Sequence, residues 1–141
     1  MLDKNRILSK LDELDTYLNE LESIMPKSYE EYVGSVEKKR ACERLLHILI
    51  ECTIDICTLM VKGLRLGLPT EEGDLFEKLR QKGIISKQME RKLKAMRGFR
   101  NILVHRYGGV DDKLVFENLK KTNDFKDFRK EIVDYLKGVA V

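Results

Sequence analysis

The sequence predicts an all-α fold, an antiparallel bundle of about five helices forming one domain over residues 1–141. Three observations carry that expectation. Apolar residues recur at three- and four-residue spacing through most of the chain. No alternating strand pattern of useful length interrupts them. The two prolines, Pro26 and Pro69, fall between helical patterns rather than inside them.

The first helix is expected from about Asp3 to Met25. Leu11, Leu14, Leu18, Leu21 and Met25 form a heptad-like seam along it, which suits either the bundle core or contact with a second subunit. Pro26 ends it. Ser28 followed by Glu31 has the spacing of a capping box and opens a long helical stretch to about Val61 or Lys62, with a bend expected near Gly34. The centre of that stretch, Leu45 to Val61, is apolar almost all round, the mark of a helix buried on several sides. Gly63 and Gly67 break the chain before Pro69. Thr70 is expected to cap a short helix over Glu71–Lys82, closed by Gly83, with Leu75, Phe76 and Leu79 inside. Ser86 caps the next helix, which runs to Tyr107 and is stopped by Gly108-Gly109. A short helical turn through Leu114, Val115 and Leu119 follows. Asn123 or Asp124 then caps a last helix that buries Phe125, Phe128, Ile132, Val133 and Leu136.

Hydrophobic content of 43% is ordinary for a globular domain of 141 residues, and 36% charged residues suit a well-solvated helical surface. A formal net charge of +3 does not by itself demand a nucleic-acid partner. Its distribution is more informative. Lys78, Arg80, Lys82, Lys87, Arg91, Lys92, Lys94, Arg97, Arg100 and Arg106 stand against one acid, Glu90. Such a band would attract phosphates, although a solvated lysine-rich helix has the same composition. Cys42, Cys52 and Cys57 are odd in number and lack a CxxC spacing, which points to free thiols in a reducing cytoplasm rather than to disulfides or a zinc site. Met1-Leu2-Asp3-Lys4 does not open a signal peptide, and no apolar run reaches membrane-spanning length.

Chemistry concentrates at Met96–Tyr107. At about 100° per residue, Met96, Phe99, Ile102 and Leu103 fall on one side, the side a core wants. Arg100 and Tyr107 lie along one border of it, with Arg97, Asn101 and His105 on the arc beyond. A guanidinium fork holds phosphate at two points, and an imidazole gives or takes a proton near neutrality. The pair suits phosphodiester cleavage without a metal. An ordinary solvated helix end, with His105 capping the last carbonyls, would show the same spacing. Within Leu45–Val61 the only ionisable side chains besides the cysteines are His47, Glu51 and Asp55. Glu51 and Asp55 share a face one turn apart and, if buried, need partners. Arg97, Arg100 and His105 are natural ones, so Asp55 and Glu51 are expected to orient the Arg/His pair. A purely structural tie between helices is the other reading. His47 is given no role.

Arg100-Asn101-Ile102-Leu103-Val104-His105-Arg106-Tyr107 resembles the Arg-x4-His-x-Tyr signature of the HEPN superfamily, in its HepT-type toxin branch. The flanks Gly98-Phe99 and Gly108-Gly109-Val110-Asp111 agree, as do Ile54-Asp55-Ile56, Gly67-Leu68-Pro69, Leu75-Phe76-Leu79 and Gly83-Ile84-Ile85. The likeness spans roughly residues 36 to 137. It implies a HEPN-like bundle and a metal-independent endoribonuclease toxin that needs no cofactor. Arg100 and His105 would be catalytic, Asn101 supporting and Arg97 an RNA contact. The resemblance also implies a homodimer, with two motifs facing a shared cleft. An MntA-type nucleotidyltransferase antitoxin would silence the toxin by transferring AMP to Tyr107. A non-catalytic HEPN module that binds nucleotide or assists a nucleotidyltransferase is the rival reading, and a plain helical dimerisation protein is another.

Overall fold

The computed structural model describes residues 1–105 and 109–139. All regular structure in these residues is helical: α1 (Lys4–Ile24), α2 (Tyr29–Val33), α3 (Val36–Gly63), α4 (Glu72–Gln81), α5 (Lys87–Val104), α6 (Asp112–Leu119) and α7 (Asn123–Val139). The all-helical expectation holds. The expected count of about five rises to seven among the described residues, because the stretch after Pro26 is two helices and the turn after Val110 is a helix of its own.

The first split has a local cause. Ser28 caps α2 by accepting the Glu31 N–H at 3.1 Å, while Glu31 reaches back to the Lys27 N–H at 3.0 Å. That is the reciprocal logic of a capping box, shifted one residue at its return arm. The Gly34 N–H then closes α2 on Glu30 O. Ser35 adopts extended backbone and restarts the helix by accepting the Lys38 N–H at 3.1 Å. The expected bend is therefore a break with its own cap.

The 28-residue α3 is the centre of the molecule and packs against α1, α2, α4, α5 and α6. Its apolar circumference explains this, since almost every side from Leu46 to Val61 meets a neighbour. The α1 seam of Leu11, Leu14, Leu18 and Leu21 is buried within the chain, against α3 in the main. The last helix closes the core with Phe125, Phe128, Ile132 and Leu136. At the far end of α3, a Cβ on Gly63 would lie 2.9 Å from Leu2 Cα, so the glycine admits the backbone of the N-terminal segment.

All three cysteines are free and buried. Burial pushes the Cys52 thiol up to about 11, and it pushes those of Cys42 and Cys57 upward as well. They serve as small hydrophobes rather than nucleophiles. Among the described residues no helix is long and apolar enough to cross a membrane.

One buried group is at odds with its surroundings. Tyr32 is fully buried, and its hydroxyl finds no hydrogen-bond partner among the described residues. Burial pushes its ionisation upward, and Glu43 adds to that. Tyr32→Phe removes an unsatisfied polar atom and keeps the ring. It should raise stability by about 1 kcal/mol, read as a higher urea midpoint with an unchanged m-value.

Candidate active site

Ser86 opens α5 by accepting the Met89 N–H at 3.0 Å, and its own N–H and hydroxyl are tied to Glu131 of α7. Met89, Leu93, Met96, Phe99 and Leu103 fix which face of α5 is buried. Arg100 follows Met96 by four residues and precedes Leu103 by three, so it falls on the same stripe. It is only 8% exposed, whereas Ile102, expected inside, is 47% exposed. Ile102 is thus outside, while Arg100, expected on the border of the apolar side, is inside. The apolar arc is narrower than expected, and a guanidinium sits within it.

A buried guanidinium requires partners on each side of its plane edge. Nε donates to Asn101 Oδ1 at 3.0 Å. One terminal nitrogen donates to Glu51 Oε1 on α3, and the other donates to Glu72 Oε1 on α4. Arg97, one turn back, also donates its Nε to Glu72 Oε1 at 3.3 Å. On the far side of Glu51, His47 Nε2 lies 3.6 Å from the same Oε1. Burial lowers the Arg100 pKa, but the hydrogen bonds to Glu51 and Glu72 outweigh it and raise the value, so the charge is secure. The structure thus brings Arg97, Arg100, Asn101 and Glu51 together.

Glu72 joins them, and sequence reasoning missed it. Its available signal was an acid in the first turn of α4, where the helix dipole favours a carboxylate. The expected Thr70 cap is instead an interaction with Asp74, whose Oδ2 accepts both the N–H and the hydroxyl of Thr70. Helix α4 consequently starts at Glu72 rather than Glu71.

Asp55 does not partner Arg100. It is exposed and pairs with Lys10 of α1 at 3.5 Å. One turn along α3 carries the side chain past α5 and over to α1, which corrects the expected second tether. Helix α5 also ends earlier than expected. His105 leaves helical geometry, with φ −103° and ψ 30°, and its N–H closes the helix on Asn101 O. Its imidazole is on an exposed residue. Tyr107 and Arg106 lie outside the described residues.

The HepT-like family model, described as "Ribonuclease HepT-like", matches residues 14–132. The chain belongs to this family. It is 28% identical over 110 residues to a tRNA nuclease HepT of Aphanizomenon flos-aquae, covering 78% of this chain and 75% of that protein. Its fold matches that of a tri-AMPylated HEPN toxin of Shewanella oneidensis, solved in complex with an MNT antitoxin. The TM-score is 0.84 at 24% identity, over 95% of this chain and 99% of that one. It also matches YutE, a cytosolic protein of unknown function from Bacillus subtilis, with a TM-score of 0.83 at 23% identity over 97% and 92% of the two chains.

In this HepT-like chain the basic band is less bare than its sequence suggests. Arg80 Nε meets Glu90 Oε1 at 2.6 Å, and Lys94 bridges Glu77 at 3.0 Å and Glu90 at 3.2 Å. Lys92 reaches Asp124 and Asp127 of α7. Acids from other elements therefore offset much of the segment's charge. Burial raises the Glu90 carboxyl, but hydrogen bonds from Arg80 and Lys94 outweigh it and hold it below the usual range. A depressed carboxyl stabilises the fold above its unfolded-state pKa of about 4.3 and loses that contribution as pH falls through its folded value. Glu90→Gln should therefore lower the urea midpoint at pH 7 and narrow the gap between the pH 7 and pH 3 midpoints.

Proposed function

We propose that this HepT-like protein is an endoribonuclease toxin that cuts RNA by attack of the substrate's own 2′-OH, leaving a 2′,3′-cyclic phosphate. The observation that carries the reading is the family match together with a buried guanidinium bonded by three side chains, five residues before an exposed histidine at the helix end. Arg100 holds the scissile phosphate and stabilises the extra negative charge as phosphorus becomes five-coordinate. His105 takes the 2′-OH proton as general base and, as the P–O5′ bond breaks, gives a proton to the departing 5′-oxygen as general acid, so that a 5′-hydroxyl leaves. Asn101 and Glu51 fix the angle of the Arg100 plane, and Arg97 contacts the RNA backbone. The nucleophile comes from the RNA, and charge stabilisation and proton transfer come from two side chains. The chemistry therefore calls for no metal ion. That relatives are a tRNA nuclease and a toxin bound to an MNT antitoxin supports a tRNA-like substrate and an MntA-type nucleotidyltransferase partner. In this reading two copies pair so that their motifs face one cleft. AMP on Tyr107, seven residues after Arg100 in the chain, adds bulk and negative charge to the motif and repels RNA phosphates.

Labelled tRNA incubated with the purified protein in excess EDTA should be cut. Arg100→Ala and His105→Ala should each slow cutting by about a hundredfold or more, with folding checked by circular dichroism. Full cutting by both variants would overturn the assignment. With the partner nucleotidyltransferase and ATP labelled at the α-phosphate, the wild-type chain should take up label and Tyr107→Phe should not.

A further inference from the structure

We propose that Arg97 and Arg100 share a single phosphate seat, and that in the resting chain the carboxylate of Glu72 fills it; this rests on the ribonuclease reading above. Both arginines converge on one oxygen, Glu72 Oε1, with Arg97 Nε at 3.3 Å and a terminal nitrogen of Arg100 beside it. Two guanidinium groups on successive turns of one helix, aimed at one anionic oxygen, are the donor set that a phosphodiester oxygen takes.

Charge and exposure decide which group gives way. Arg97 and Arg100 against Glu51 and Glu72 sum to zero, so the closed cluster has no net attraction for RNA. The Arg100 side chain is 10% exposed and is held by Glu51 and Asn101, so it stays. The Glu72 side chain is 37% exposed and can turn into water. Glu51 is comparably exposed, but a phosphate in its place would meet only one of the two arginines. A phosphate in place of Glu72 meets both. Glu72 also stands in the first turn of α4, just after a connection in which Arg65 and Gly67 have positive φ, whereas Glu51 is fixed mid-way along α3. Gly73 completes the geometry: a Cβ there would lie 3.6 Å from Arg97 Nη1, so the arginine rests directly on the start of α4. Substrate binding is then an exchange of one anion for another. Glu72 sets the threshold that an RNA must exceed.

The test measures binding without cleavage. The ligand is a tRNA-derived oligonucleotide 2′-O-methylated throughout, which lacks the attacking hydroxyl. Glu72→Gln should tighten its Kd by about fivefold, the size expected when one partly exposed opposing charge is removed. Arg97→Ala added to Glu72→Gln should abolish the gain. Glu72→Asp, with the shorter reach, should fall between wild type and Glu72→Gln, and it serves if the glutamine variant folds poorly. Unchanged or weaker binding by folded Glu72 variants, with cleavage of ordinary RNA intact, would overturn this inference alone and make Glu72 a structural strut. Failure of every folded variant to bind would overturn both this inference and the ribonuclease reading.

Discussion

The structure turns on the need to satisfy one buried cation. Taking a guanidinium out of water is costly unless its donors are matched, and Arg100 meets the requirement by drawing on three elements at once. Asn101 comes from its own helix, Glu51 from the central α3 and Glu72 from the first turn of α4. Only the Arg100 end of these pairs is buried, since the Glu51 and Glu72 side chains are 43% and 37% exposed, so they contribute little net stability compared with apolar packing. Sliding α4 or rotating α5 would leave Arg100 short of an acceptor. In the resting chain the cluster therefore links α3, α4 and α5, while the hydrophobic core supplies the cohesion.

That division explains what could and could not be read from the sequence. Period and capping are local properties, so the seam of α1, the all-round apolar α3 and the Ser28 and Ser86 caps were visible in one dimension. Arg100, Asn101 and Glu51 were legible as a group because each belongs to a recognisable segment. Glu72 was not, since nothing in its neighbourhood distinguishes it from Glu71. Only the docking of α4 against α5 selects it. The Asp55 expectation failed for a related reason. Residues one turn apart share a face, but α3 is crowded by different partners along its length, and one turn is enough to pass from α5 to α1. Ile102 fell outside the core and the border residue Arg100 inside it because a projection fixes angles, not where the buried arc ends.

Electrostatics gave the same lesson at longer range. Ten cations against one acid between Lys78 and Arg106 read as a phosphate-attracting band. Folded, the band meets Glu51, Glu72, Glu77, Asp124 and Asp127 from other stretches of the chain. A local count of charge cannot foresee such pairing. Arg80, Lys92, Lys94, Arg97 and Arg100, half of the band's cations, are thus paired with acids, so its net pull on a phosphate is weaker than the sequence alone implies.

The relation of Arg100 to His105 bears on assembly. Five helical residues separate positions by about 7.5 Å along the axis and about 140° around it. A continuous helix would thus send the two side chains to different faces. The chain abandons helical geometry at His105, which frees the imidazole from that projection and leaves it on the exposed side of the molecule. Arg100 has no such freedom. A buried, fixed charge and an exposed proton-transfer group would act on one phosphate if two copies presented them across a common opening. The proposed homodimer would supply such an opening. It also fits a toxin whose activity must be easily withdrawn. A group that works only at a shared opening can be silenced by filling that opening, without unfolding either copy.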